Sequence, residues 1–489
     1  MTVTTGRART AKSPAQEVPR QRTPAGAVKP PSRADRAAQG KDARTAAPLD
    51  SHAEFQPARG RDPVGLLLGQ AESRVPELVP VRHGRMMVSP FTYYRGAALP
   101  MAADLAGTPA AGLQVQLCGD AHLSNFGAFA SPERNLVFDV NDFDETLPGP
   151  FEWDIKRLAA SLTVAGRDNG FTAKACRKIA LASAEGYRTA MRQFARMPFL
   201  DVWYACMDVE PALARVKSQI DAKRLKELEK MLTKAHTKDS TSALRKLTTE
   251  IDGQRQIISD PPTIMPIEDV FAGVQVDEIY DQVQTVLGKY RRTLQTDRRH
   301  LLSEFSLVHV ARKVVGVGSV GTRAWIALLD AGDGVEPLVL QAKEAQPSVL
   351  ADYAGRSKYR NEGERVVAGQ HLMQAQSDIF LGWTRITAPD GAERDFYVRQ
   401  LRDWKFSMPI EVMVPAGLTL YARLCGWTLA RAHARSGDRI ALAAYLGGSA
   451  KFDQAIADFA ETYADQNELD YAAFQAAVKE GRAEAVAGV

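Results

Sequence analysis

The chain has 489 residues, 62 Lys and Arg against 58 Asp and Glu, and a formal net charge of +4; 45% of its residues are hydrophobic and 25% charged, an ordinary globular balance. Residues 1–50 hold ten basic and four acidic side chains, so they carry +6 and the remainder +4 − 6 = −2, which argues against a nucleic-acid-binding body. Four widely spaced cysteines without a CxxC pair speak against a disulfide scaffold and a cysteine zinc site, and no apolar run reaches the roughly 18 residues of a membrane span.

The opening MTVTTGRART lacks the apolar core of a secretory signal, and the chain reads as cytoplasmic. Residues 1–56, rich in Ala, Arg, Pro, Thr and Gln, read as a disordered basic tail. A helical lobe is expected over 57–304. Its spacing predicts a helix over Phe91–Leu105, strands at Gln114–Cys118 and Asn135–Asn141, and helices over Trp153–Val164 and Thr172–Phe194 that break at Asp168-Asn169-Gly170. Residues 209–250, dense in Lys, Glu, Leu and Ala, suit exposed helices, and Asp277–Glu304 suits one more. A strand-rich lobe is expected over 305–405, with strands at Val308–Val315, Arg323–Leu329, Pro337–Ala342, Ile379–Ile386 and Asp395–Leu401 and a helix over Tyr359–Gln374. Residues 406–489 form a C-terminal helical region, helical from Leu418 to Gly481.

Two constellations carry chemistry. The first is Cys118-Gly119-Asp120-Ala121-His122-Leu123-Ser124-Asn125, followed by Asn141-Asp142-Phe143-Asp144-Glu145 at the end of the next strand. Phosphoryl transfer needs one carboxylate at an acceptor hydroxyl, and an amide and a carboxylate to hold magnesium on the phosphates. In that reading Asp120 is the base, and Asn125, Asp142 and Asp144 supply the metal ligands. The competing reading has Asp120 capping a turn and Asp142 and Asp144 in a solvated loop.

The second constellation is Gly316-Val317-Gly318-Ser319-Val320-Gly321. In a Rossmann fingerprint the glycines open a helix; here a strand follows, and a third strand ends near Lys343, as in a kinase nucleotide loop. Gly316, Gly318, Ser319 and Gly321 would then cover phosphates and Lys343 would contact them. Such a lysine is positioned by a glutamate on the next helix, Glu362 or Glu364, of which Glu364 is taken as the nucleotide-site residue. Gln400, within Arg399–Asp403, falls where a hinge would meet adenine. His433 reads as a packed helix residue, and His122 as a brace or metal contact. Paired zinc-binding histidines and a G-x-S-x-G elbow are absent from the sequence.

GDAHLSN, NDFDE and Trp153-Asp154-Ile155 resemble the catalytic and metal loops of aminoglycoside and choline phosphotransferases, which run H-G-D-x-x-x-x-N, I-D-[FW]-[DE] and Y-D-[IL]. Across its body the chain more closely resembles a bacterial family, domain of unknown function 2252, through LCGDAHLSNFG, WDIKRLAAS, VVGVGSVGTR, RVVAGQHLMQ, YVRQLRDWK and GWTLARAHARSGD. The phosphotransferase resemblance implies Asp154 as a structural partner of the loop and a protein-kinase-like α+β fold, with an antiparallel nucleotide-binding sheet and a helical lobe. It also implies ATP and Mg2+ as partners and a small-molecule hydroxyl as acceptor, while charge and the lack of a long apolar run give the expectation of no nucleic acid and no membrane. Cys118 stands where those enzymes have His, and the glycine loop follows the catalytic loop instead of preceding it, so the fold would be circularly permuted. Lys343 must then meet Asp142 in space. A nucleotide-binding pseudokinase, a nucleotidyl transferase and a non-catalytic interaction protein with a basic tail are the alternatives.

Overall fold

The computed structural model describes residues 30–219, 222–236, 246–251, 254–314, 316–332, 337–388, 390–401, 404 and 406–488. It is mixed α+β, with helices gathered around small antiparallel sheets.

Residues 1–29 of the expected tail lie outside the described residues, and the remainder corrects that expectation. Arg33–Ala46 forms α1, and Leu49–Ala53 a short 3₁₀ turn. Ser32 Oγ accepts from the Asp35 N–H at 3.2 Å, and the Asp35 carboxylate accepts from the Ser32 N–H at 2.9 Å, a reciprocal cap. The helix is docked: Arg44 donates to the carbonyls of Ala444 and Tyr445 at 2.8 and 2.7 Å, and Ala47, Leu49 and His52 are buried. Composition misleads here because the contacts that order the segment lie about four hundred residues away.

The helical body is built on α6 (Phe151–Asp168), buried on nearly every face, and the amphipathic α7 (Ala173–Phe194). Against them pack α9 (Pro415–Ser436) and α11 (Lys451–Lys479), from the far end of the chain. Leu158, Leu162, Ile179, Tyr187, Leu429 and Phe459 belong to one apolar cluster, and burial of this kind is the main stabilising contribution. The expected helix Phe91–Leu105 is divided at Ala97 into α4 (Pro90–Gly96) and α5 (Ala98–Ala106); before it come α2 (Pro63–Ala71) and α3 (Val79–Met86). The single helix expected over Asp277–Glu304 is also two, Val276–Arg291 and Thr296–Ser303. In the stretch expected to be exposed helices, Val209–Val216 and Ala222–His236 are helical, but β5 (Thr248–Ile251) pairs with β6 (Gln254–Ile257), and 237–245 lie outside the described residues.

Two paired-strand units, the second a hairpin nested between the strands of the first, are packed against this body. In one, β1 (Gln114–Leu117) pairs with β4 (Leu147–Pro150); in the other, β2 (Phe126–Ala130) pairs with β3 (Leu136–Val140). Because Leu117 faces Leu147 and Phe126 faces Val140, the loops 118–125 and 141–146 leave the paired strands at common ends. A six-stranded antiparallel sheet stands beside them in the order β11-β12-β10-β9-β8-β7. Its strands are β7 (Ile264–Pro266), β8 (Ser306–Lys313), β9 (Ala324–Asp330), β10 (Pro337–Ala345), β11 (Gly382–Thr387) and β12 (Glu393–Gln400). The edge strand β7 comes from the segment expected to belong to the helical lobe. Between β10 and β11 the chain forms α8 (Glu362–Met373), which lies against β11 and β12 on one side and α9 on the other.

Candidate active site between the sheet and the hairpin loops

The loop that carries Asp120 is clamped at its base. The first turn of α6 presents Asp154, whose carboxylate accepts from the backbone N–H groups of Cys118 and Gly119 at 2.8 and 3.1 Å. His433 of α9 holds the same carboxylate through Nε2 at 3.1 Å, and its Nδ1 lies 2.8 Å from the Tyr187 hydroxyl. A buried Asp–His–Tyr chain therefore fixes the loop. One helical turn beyond Asp154, Arg157 places Nε and Nη2 at 2.8 and 2.7 Å from Asp120 Oδ1. Burial raises the Asp120 proton affinity above the usual carboxylate range, against the lowering pull of Arg157 and Arg95. His122 Nε2 lies 3.7 Å from Asp120 Oδ2. Burial, with Arg95 and Arg157 nearby, keeps this imidazole neutral well below its ordinary titration range.

Asn125 donates Nδ2 to the Asp120 carbonyl at 2.8 Å, which leaves Oδ1 as the atom a cation could use. Its backbone carbonyl accepts from Asn141 N at 2.8 Å, so Asn125 and Asp142 are neighbours by hairpin register. Asp142 accepts from the Asp144 N–H at 3.2 Å. Burial and the adjacent Asp144 push Asp142 up. Asp144 shifts the other way: burial opposes it, but Lys343 and Tyr397 win.

Lys343, 2% exposed, reaches this loop from β10. Its Nζ is 2.6 Å from Asp144 Oδ2 and 4.0 Å from Asp142 Oδ2. Tyr397 faces Lys343 across the β10–β12 ladder and donates to Asp144 Oδ1 at 2.6 Å. Burial would lower the lysine, but the two aspartates raise it, so it stays protonated. In the glycine loop Gly316 and Gly321 adopt left-handed φ of 68° and 88°, which favour glycine. Ser319 donates Oγ to Asp144 Oδ2 at 3.3 Å. Gly316, Gly318 and Ser319 line the cleft, whereas Gly321 is buried beneath it and accepts from Val75 N at 2.8 Å.

The glutamate expectation is corrected. Glu364 gives its backbone N–H to the Asn361 side chain at 3.0 Å as part of the α8 cap, and Glu362 pairs with Arg365 at 2.5 Å. Among described carboxylates the ion-pair partners of Lys343 are Asp142 and Asp144. The α8 residue that reaches the site is Arg365, which donates to the carbonyls of Thr146, Asp144 and Gln346 at 2.8, 2.9 and 2.8 Å. Gln400 gives its backbone N–H to the Asp378 carboxylate; Arg402 and Asp403 lie outside the described residues.

Two cavities meet here. One, of about 490 Å³, runs from Gln400 and Leu401 past Gln341 to Lys343; the other, of about 390 Å³, holds Asp120, His122 and Asn125. Asp142, Gly316 and Ser319 border both. Sequence reasoning missed Arg157, Tyr397, Arg365 and the arginines of the smaller cavity, Arg74, Arg82 and Arg95. Arg157 had a signal: it stands three residues after Asp154, on the same helical face.

Residues 74–477 match the family model described as an uncharacterized protein conserved in bacteria (DUF2252). The chain belongs to that family. The DUF2252 region takes in both hairpin loops, the whole sheet, α8, α9 and most of α11, while α1 precedes it. No curated protein and no solved structure matches the chain. Among the described residues no helix is long and apolar enough to cross a membrane, and no group of three or more His, Cys, Asp or Glu side chains could hold a metal ion. Asn125 Oδ1 and the Asp142 carboxylate form a sparser oxygen set, whereas both oxygens of Asp144, expected as a third ligand, already accept, Oδ1 from Tyr397 and Oδ2 from Lys343 and Ser319.

Proposed function

We propose that this cleft is a phosphotransferase site of circularly permuted, kinase-like design, which moves the γ-phosphoryl group of ATP to a small-molecule hydroxyl. The observation that carries the reading is Lys343 Nζ at 2.6 Å from Asp144 and 4.0 Å from Asp142, beneath a glycine loop between the first two strands of its hairpin series. A lysine on the third strand beside a metal-binding carboxylate is the arrangement kinases use for nucleotide phosphates.

The larger cavity takes the nucleotide, with its base toward Gln400 and its phosphates toward Lys343 and the Gly316–Ser319 backbone. Asp120, fixed by Arg157, accepts the proton of the acceptor hydroxyl. The bond from acceptor oxygen to Pγ forms, the bond from Pγ to the bridging β,γ-oxygen breaks, and that oxygen leaves with the electron pair on ADP. Asn125 Oδ1 and the Asp142 carboxylate would hold Mg2+, since burial and the like-charged Asp144 push Asp142 up and a cation there would relieve both; the ion would supply charge neutralisation for the nucleotide phosphates.

Thermal shift of the full chain tests the reading. ATP with Mg2+ should stabilise it, by about 2.7 kcal/mol at 100 times Kd. Asp142→Asn should remove the magnesium dependence. Asp120→Asn should keep the shift and lower ADP release roughly 10²- to 10⁴-fold. No shift at millimolar nucleotide rejects the proposal. Pyrophosphate release in place of ADP would indicate a nucleotidyl transferase, and binding without turnover a pseudokinase.

A further inference from the structure

The smaller cavity is lined on one side by Arg74, Arg82 and Arg95, contributed by the α2–α4 segment. Arg82 is 1% exposed and Arg74 6%. Arg82 donates Nη2 to the Gln70 side chain and the Gly96 carbonyl, each at 2.9 Å, while its Nε and Nη1 have no partner. Arg74 spends Nη1 on the Val320 carbonyl at 2.5 Å and leaves Nε unpartnered; Arg95 Nε is unpartnered too. None of the three forms an ion pair with a described carboxylate.

The cavity's acids are already engaged. Asp120 is held by Arg157, Asp144 by Lys343 at 2.6 Å with Asp142 4.0 Å from the same ammonium, and Glu344 by Arg323 at 3.2 Å. Glu145 accepts from Val349 N at 2.7 Å and is pushed up to about 7, chiefly by burial. Burying guanidinium groups is costly, and burial lowers all three arginines, Arg74 to about 10, although Glu145, Asp144 and Glu344 act on Arg74, and Asp120, Glu411 and Asp142 on Arg95, from beyond ion-pair distance. Planar forks of donors suit phosphate and carboxylate oxygens.

We infer that Arg74, Arg82 and Arg95 form an oxyanion subsite beside Asp120, so that the acceptor is a hydroxyl compound bearing a phosphate or carboxylate group. The inference rests on the phosphotransferase reading for the word acceptor. Its hydroxyl lies at Asp120, its anionic end lies among the arginines, and the nucleotide enters from the opposite cavity past Asp142 and Ser319.

The test uses the full chain saturated with a non-hydrolysable ATP analogue and Mg2+, with inorganic phosphate as the probe, so that the nucleotide phosphate site is already filled. Phosphate should add a second thermal shift. Arg95→Gln and Arg74→Gln should each weaken that phosphate binding roughly 10- to 100-fold, the scale of one charged hydrogen-bonding group, while the nucleotide shift persists. Arg95 is only partly buried, which protects its variant from misfolding. A nucleotide shift without an added phosphate shift overturns the subsite and leaves the phosphotransferase reading in place; so does a phosphate shift unchanged in both variants. Absence of the nucleotide shift overturns the phosphotransferase reading and the acceptor assignment with it. In turnover assays hydroxyalkyl phosphates and hydroxy carboxylates form two arms that distinguish the anion, and the favoured arm should exceed matched neutral polyols in kcat/KM. Preference for the neutral polyols overturns the inference.

Discussion

Asp120 stands between two opposed influences: burial drives its proton affinity up, and the Arg157 guanidinium draws it down. A general base works only when deprotonated, so the proposed turnover should fall as pH drops through the Asp120 titration. Removing the charge in Arg157→Gln takes away the lowering influence. The acid limb of the kcat/KM profile should then move to higher pH, with lower activity at neutral pH. An unmoved limb would dissociate Arg157 from the base. At this scale the sequence pointed to Asp120, Asn125 and Asp142 because they follow short apolar strands, and the structure brings the three to one cavity. The sequence was less informative for residues whose direction depends on register or burial. Tyr397 reaches Asp144 only because it faces Lys343 across a ladder, and Arg157 looks in sequence like any polar residue of a helix. Glu364 fits the place of a kinase-helix glutamate in sequence, but the cap at Asn361 turns that first turn to another use.

Helix α1 depends on one close approach. A Cβ added at Gly40 would lie 2.0 Å from the Ala441 carbonyl oxygen of α10 (Arg439–Leu446). Gly40→Leu should therefore undock the helix and lower stability by about 1–3 kcal/mol, the scale of overpacking, measured by denaturant midpoint. Replacing Arg44, whose guanidinium holds the carbonyls of Ala444 and Tyr445, by Ala should lower the same midpoint. The turn after α1 carries a pH signature as well. His52 Nε2 lies 2.5 Å from the Tyr445 hydroxyl, and burial, reinforced by Lys156, lowers the ring from 6.5 to about 3. With the folded value below the unfolded one, this histidine contributes stability above pH 6.5 that is lost as pH falls toward 3. Comparison with His52→Gln should isolate a slope of about 1.4 kcal/mol per pH unit in that window. Equal slopes would show that His52 does not titrate with unfolding. Most elements were legible from periodicity, because α6, α7 and β8–β12 bury a regular face. The break around Leu294 was not, since no Gly or Pro adjoins it; the break at Ala97 is marked only by Gly96 and Pro100, which an apolar helical spacing runs across; and α1 was hidden because its partners are remote in sequence.

Across the whole molecule, Arg365 ties the sheet side to the hairpin loops, through carbonyls of Asp144, Thr146 and Gln346. Arg365→Lys keeps the charge but not the planar fork. It should cost about 2–4 kcal/mol and weaken nucleotide binding, read by thermal shift with and without ATP and Mg2+. A parent-like response would show that the tie is dispensable. The meeting of Lys343 with Asp142 follows from this three-dimensional arrangement and not from chain order; the sequence supplied both residues, while their proximity required the sheet to fold back beside the earlier hairpins.

That arrangement has a consequence for synthesis on the ribosome. Helix α7 ends at Phe194, and its partner α9 begins at Pro415, 415 − 194 = 221 residues later. At about 5–20 residues per second the gap lasts roughly 10–45 s. Throughout it the apolar faces of α6 and α7 lack their final cover, whereas strands β7–β12 and their own apolar clusters emerge complete within the same interval. The sheet is thus the part able to assemble as it leaves the exit tunnel. The earlier helices keep an uncovered apolar face until the segment from Pro415 onward arrives.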